Sequence, residues 1–366
     1  MHYSYAGYDT IELATTYMHR ESIHSQWDIG LIQAIWIEDD FPDDSPTTVV
    51  SQEIVSEDSN CSEWQPDVAY DPENGNIHVV WTGFEEHQYP MHQWRVHHNR
   101  LDRATQTWDG DVEVCEWNRQ YSGWAPRIAI GNAGSIFDGD IVGIVYSSYT
   151  EQEGHYATGH WSCSGAWWDV DNEGPEDAEF MHFSYDDSEP AGFPRLDLAP
   201  RSTGAANGYG SIAYTQCMGY NESTARDEFA IVEINTERLS SWVIEEGETY
   251  DEGIFGAIAI HDGTNPLEAS LSYMLRVDEE EWDVVAGVFE MDDAPPSVTW
   301  TTVDSGIGGA FDFETAVDYL LIEPFQQGDI VTFPESSSGD YKYWLGYCDT
   351  IDTSAHTVYV AYGDAT

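Results

Sequence analysis

The stretch from Trp64 to Phe84, W-Q-P-D-V-A-Y-D-P-E-N-G-N-I-H-V-V-W-T-G-F, constrains the fold more than any other part of the chain, because it recurs. Asp67 to Tyr70 is a short β-leaning run. Asp71 to Asn76 gathers turn formers with a glycine for positive φ, and Ile77 to Thr82 is β-branched and aromatic, so the whole reads as a hairpin. The figure returns at Trp124 to Tyr146 and at Phe193 to Tyr214, with a weaker copy at Phe255 to Tyr273 in which Gly256 replaces the proline. Pro66, Pro126, Pro194 and Gly256 are separated by 60, 68 and 62 residues. A period of that size with four strands per unit predicts an all-β chain, a β-propeller of four-stranded antiparallel blades.

Length agrees with the period, since 366 residues hold six units of about 61 in one closed domain. The expected blades run approximately over 1–60, 61–120, 121–188, 189–250, 251–306 and 307–366. The last is the least regular, and five blades with an insertion near 306–339 is the alternative. Aromatic residues make up 14% of the chain, enough bulky filler for sheets packed face to face around an axis.

Charge is the second constraint. Against 68 Asp and Glu stand 12 Lys and Arg, a formal net charge of −56, and Lys342 is the only lysine. Such a surface excludes binding to the phosphate backbone of nucleic acid. At roughly 1 M salt the Debye length is about 3 Å, so these carboxylates are screened and hold hydrated Na+ or K+ instead of repelling one another. The composition resembles that of proteins from extremely halophilic archaea and their viruses. The first twelve residues have no basic start and no apolar core, and no run of 18 apolar residues follows, so neither a secretory signal nor membrane insertion is expected. The five cysteines show no C-x-x-C spacing, which argues against zinc; Cys61 and Cys115 flank the second unit and are the pair considered for a disulfide.

Pro66-Asp67-Val68-Ala69-Tyr70-Asp71 followed by Gly75-Asn76-Ile77-His78-Val79-Val80-Trp81 resembles repeats of the P-x-I-A-x-D-x-x-G-N-x-H-V-V-W type in sialidase-like and related binding propellers. The resemblance implies an architecture. The S-x-D-x-G-x-x-W box of the sialidases is absent, so no reaction is carried over with it.

In a propeller the first strand of each blade lines the central channel. Trp64, Trp124, Phe193 and Phe255 fall near its start and are expected either to ring a funnel mouth, where sugar faces stack, or to wedge between blades as core. Asp67, Arg127 and Arg195 follow the prolines, with Asp197 nearby. The arginines either bind an acidic group by their fork or neutralise the channel wall. Asp67, Asp197, Asp312 and Glu314 are the carboxylates a glycoside hydrolase or lyase would draw on. His24, His92 and His160 each precede a tryptophan, but their spacing to it drifts, which argues against a shared metal. Asp169, Asp171 and Glu173 sit at alternate positions before Gly174, as at the opening of a calcium loop, although Phe180 stands where the closing carboxylate belongs.

Three functions fit. The first is a non-enzymatic binding or structural propeller, most concretely a surface or host-attachment protein of a haloarchaeal virus, whose partner is a surface glycan or another protein of the same particle. The second is a propeller glycoside hydrolase or lyase of a halophile. The third is an intracellular scaffold in the halophile cytoplasm.

Overall fold

The computed structural model describes residues 2–7, 10–19, 26–37, 48–56, 61–71, 73–85, 93–114, 122–133, 140–152, 155–183, 189–199, 210–221, 226–236, 240–243, 245–246, 249–250, 252–261, 268–278, 281–291, 298–308, 329–334, 341–348 and 358–364. Among the described residues six antiparallel sheets of three or more strands follow one another along the chain, with a two-stranded ribbon, Glu245–Glu246 and Thr249–Tyr250, between the fourth and the fifth. Sheet I is His2–Gly7, Thr10–His19, Asp28–Ile37 and Thr48–Ile54. Sheet II is Cys61–Tyr70, Ile77–Glu85 and Gln93–Asp102, with Thr107–Trp108 and Val112–Glu113 both paired to its third strand. Sheet III is Ser122–Asn132, Asp140–Gln152, His155–Asp169 and Glu179–Phe183. Sheet IV is Ala191–Leu198, Gly210–Asn221, Arg226–Asn235 and Ser240–Val243. Sheet V is Gly253–Ile260, Glu268–Asp278, Glu281–Glu290 and Thr299–Gly308. Sheet VI is Asp329–Pro334, Tyr341–Cys348 and Val358–Asp364.

Within each sheet the strands lie in sequence order, a meander. The first strands of sheets II to V pack side by side in succession, and that of sheet V packs on Asp329–Pro334, so first strands form the inner layer. This is a β-propeller. The hairpin of Cys61–Tyr70 and Ile77–Glu85 closes through Gly75, whose N–H donates to the carbonyl of Asp71 at 2.8 Å from a φ of 78°, a conformation only glycine adopts without steric cost.

The recurring proline has a physical role. In sheets II to V two residues of the first strand stand opposite one of the second: Gln65 and Pro66 opposite Trp81, Ala125 and Pro126 opposite Tyr146, Phe193 and Pro194 opposite Tyr214, Phe255 and Gly256 opposite Tyr273. Each is a β-bulge. Its first residue is left-handed, with φ of 52°, 51°, 57° and 58° at Gln65, Ala125, Phe193 and Phe255, and a proline can hold the second place because that place needs no ladder N–H.

The left-handed residue turns its own N–H toward the preceding sheet, where a hydroxyl accepts it. Ala125 donates to Oγ1 of Thr82 at 3.1 Å, Phe193 to Oγ of Ser147 at 2.8 Å and Phe255 to Oγ1 of Thr215 at 3.0 Å. These hydroxyls each follow the aromatic opposite the bulge, so one local device clasps sheet II to III, III to IV and IV to V. Thr215→Val is expected to cost about 1 kcal/mol, the usual net value of a hydrogen bond. Thr82→Val should cost less, because Oε1 of Gln65 also accepts the N–H of Ala125, at 3.0 Å. Thermal unfolding of both variants in high salt checks the order.

Candidate functional site

The four aromatics expected near a funnel mouth are placed together, but not at equivalent positions and not at a mouth. Trp64 and Trp124 precede the bulge, whereas Phe193 and Phe255 are its left-handed residues, one position later. The bulge turns both kinds of side chain into one core that also holds Trp94, Phe229 and Trp282. Trp124, Phe193 and Phe255 are 2%, 1% and 3% exposed, so of the two expectations these three rings meet the second, core between sheets, and not stacking on a ligand. Phe193 meets Phe255 edge-on at 5.0 Å between centroids, and Trp124 meets Trp161 at 3.6 Å. Trp64, Phe84 and Trp161 are different, being only partly buried where they pack on this core. Trp64 and Phe84 lie 5.4 and 4.7 Å from Trp94, so the rim of the cluster is a half-open aromatic ledge.

The charged residues after the bulge serve the seams between sheets. Oδ2 of Asp67 accepts the N–H of Ile128 in sheet III at 3.1 Å, and Oδ2 of Asp197 accepts that of Ile260 in sheet V at 2.7 Å. Arg127 donates to the carbonyl of Pro126 at 3.1 Å, and Arg195 is buried. Asp312 and Glu314 lie outside the described residues, as do His24, His92 and Cys115.

At the expected calcium loop the oxygens are engaged in a turn. Oδ1 of Asp169 accepts the N–H groups of Asp171 and Asn172 at 2.8 and 2.9 Å, and Oε2 of Glu173 folds back onto the N–H of Asp169 at 3.1 Å. This is an Asx-type turn leading into a short 3₁₀ segment, Pro175–Asp177. Among the described residues no three acidic, histidine or cysteine side chains are grouped to hold a metal ion.

Several buried ionisable groups escaped the sequence reading. Glu63 is 1% exposed, and burial, partly offset by a hydrogen bond from Ser56, pushes its carboxyl from 4.5 up to about 7. Burial also pushes Glu233, bonded to Ser211, up to about 7. Nδ1 of His78 and Nε2 of His98 lie 3.1 Å apart, and burial holds both rings neutral, His98 down to about 3. His261 shares a hydrogen bond with Ser270 at 2.7 Å and has Glu268 3.5 Å away on its other nitrogen. That order of Ser, His and Glu is the order of a nucleophilic triad. Ser270, however, is 1% exposed and closed to any substrate. An apolar crevice of about 40 Å³ between sheets III and IV, walled by Gly143, Trp167, Phe183, Leu196 and Ile234, is far smaller than a sugar-sized pocket. No helix among the described residues is long and apolar enough to cross a membrane.

The sequence matches no family model and no curated protein. Solved structures are similar in fold. The Hadza microbial sialidase Hz136 superposes with a TM-score of 0.52 at 10% identity over 98% of this chain, which spans 64% of that one. The intramolecular trans-sialidase of Ruminococcus gnavus, solved with oseltamivir carboxylate, superposes with a TM-score of 0.50 at 7% identity, covering 92% of this chain and 87% of that one. The architecture is thus a sialidase-like β-propeller.

Proposed function

We propose that the chain is a non-enzymatic binding or structural propeller of six blades, displayed at the surface of a haloarchaeal virus particle, where it takes a glycan or another protein of the particle as partner. One observation carries the choice of binding over catalysis. Two of the four carboxylates a hydrolase would draw on, Asp67 and Asp197, each hold a backbone N–H across a seam. A glycosidase needs two carboxyl groups facing the sugar, about 5–5.5 Å apart for retention and about 6.5–9.5 Å for inversion. A carboxylate that fastens one sheet to the next is positioned for assembly.

The aromatic ledge of Trp64, Phe84 and Trp161 is the surface we assign to the partner, since stacking and packing persist in high salt where exposed ion pairs are screened. The net charge of −56 supports the saline setting. A propeller glycoside hydrolase is the second reading, favoured by the likeness to two sialidases.

Two experiments separate them. Trp64→Ala should keep the fold and weaken binding to envelope glycans or halophile cells in 3 M salt by about 2 kcal/mol, the threshold of an anchor residue. Unchanged binding by the folded variant would remove the ledge as the site. A panel of acidic and neutral glycosides in the same salt should show no turnover; saturable hydrolysis lost in Asp67→Asn or Asp197→Asn would establish the enzyme instead. A protein inventory of purified virions tests the assignment to a particle.

A further inference from the structure

The seam between sheets I and II is built unlike the three that follow it. Met18 pairs with Ile29 as Thr82 pairs with Val96. The carbonyls of Ile29 and Val96 in turn accept the N–H of Val55 and of Val114, each just past the last strand of its sheet. Met18 therefore occupies the place of the clasping hydroxyl and brings none.

Charge fills that seam instead. Glu63 stands immediately before the residue that leads into the bulge, where sheets III, IV and V carry Gly123, Ala191 and Gly253. At Gly123 and Gly253 an added Cβ would meet the ring of Tyr146 or Tyr273 of its own sheet at 3.0 and 2.6 Å and Val96 or Ile231 of the preceding sheet at 3.1 Å, so those seams close apolar side chains on bare backbone. In sheet II the corresponding Trp81 is stacked on His97 at 5.7 Å, and Gly83, directly opposite Glu63, makes the room: a Cβ there would meet Nε2 of His97 at 2.5 Å.

Every element packed on Glu63 contributes a polar or charged group. From sheet I come the Ser56 hydroxyl, which bonds it, and Asp28. The third strand of sheet II brings Arg95 and His97; the fourth-strand side brings Glu113, 3.1 Å from Arg95, and Asp111, 2.9 Å from His97. The N–H of Glu63 reaches back to the carbonyl of Trp27 at 3.0 Å. Oε2 of Glu63 and Nε2 of His97 are both buried with no hydrogen-bond partner, an arrangement that repetition of the blade does not explain.

We propose that the seam between sheets I and II is a proton-operated joint, shut while Glu63 carries a proton and loosened when it ionises among Asp28, Asp111 and Glu113. The sign follows from linkage. The folded carboxyl of Glu63 titrates near 7 against an ordinary 4.5, so its contribution is complete below about pH 4.5 and is lost as pH rises through 7. His97 acts in the same direction: burial alone would lower it, but the Asp111 hydrogen bond and the charges of Asp111, Glu113 and Glu63 hold it above its ordinary 6.5, so its ion pair also fades with rising pH.

Hydrogen exchange of the whole protein in about 3 M NaCl, corrected for intrinsic chemistry, reads the joint directly. Segments 27–31 and 61–70 should exchange roughly tenfold faster at about pH 8.5 than at about pH 5.5, while 253–260, behind a clasped seam, changes less than about twofold. Glu63→Gln, neutral at both pH values, should remove most of the difference, leaving only the part that the His97–Asp111 pair carries. Glu63→Gly, which copies sheets III and V, should do the same and guards against a glutamine that disturbs folding. Equal seam exchange at the two pH values, a response spread evenly over all sheets, or a pH response of undiminished size in either folded variant would overturn the joint.

Discussion

Trp124→Ala is expected to remove about 3–5 kcal/mol of stability, the range for emptying a buried tryptophan site. The indole is 2% exposed, lies 3.6 Å from the Trp161 ring and belongs to a core shared by sheets II to V. Interiors are packed to crystal-like density, so four sheets meeting at one cluster cannot collapse far into the vacancy, and most of the cavity cost persists. Trp64→Ala should cost markedly less, because its ring is partly covered and part of its area is already in contact with water. The pair of melting curves is decisive. A loss below about 1 kcal/mol at Trp124 would mean that the ring is not core.

What the sequence disclosed and what it concealed follow from which signals are local. The hairpin from Trp64 to Phe84 was legible because turn chemistry is local: Gly75 takes the positive φ, and its neighbours Asp71 and Asn76 close the turn at 2.8 Å. The prolines were legible as a period. Their meaning was not, since a bulge is defined by the partner strand, and without the register Trp64 and Phe193 look like the same position when they are one residue apart. The same missing register left open whether the rings of Phe193 and Phe255 face a funnel or the core, a choice the left-handed backbone makes by turning them inward. Asp67 and Asp197 could be recognised as inner-strand carboxylates, but their acceptor role belongs to the next sheet, 61 and 63 residues on. The cluster around Glu63 was invisible for the same reason: its members come from positions 28, 56, 63, 95, 97, 111 and 113 and meet only through the register. One clue was present, a glutamate at a place where the other units carry Gly123, Ala191 and Gly253.

Lowering the salt from about 3 M to about 0.1 M should lower the unfolding midpoint by roughly 10 °C or more, which at about 2 °C per kcal/mol is on the order of 5 kcal/mol. The Debye length lengthens from a few ångströms near 1 M to about 10 Å at 0.1 M, so each surface carboxylate begins to feel several neighbours. With 68 acidic against 12 basic side chains there are too few cations to break up that repulsion, and the compact state carries it more than the unfolded chain does. The seams should yield first where charge is already concentrated. The four carboxylates Asp28, Glu63, Asp111 and Glu113 gather with Arg95 and His97 between sheets I and II, whereas each seam from II to V has a neutral hydroxyl clasp, joined at two of them by a single carboxylate, Asp67 or Asp197, that holds a backbone N–H. Added salt should therefore protect segment 61–70 from exchange more than segment 253–260, and Glu63→Gln should reduce that difference. A midpoint that is the same at both salt concentrations would show that the charge is carried without cost, and the saline setting inferred from composition would fall with it.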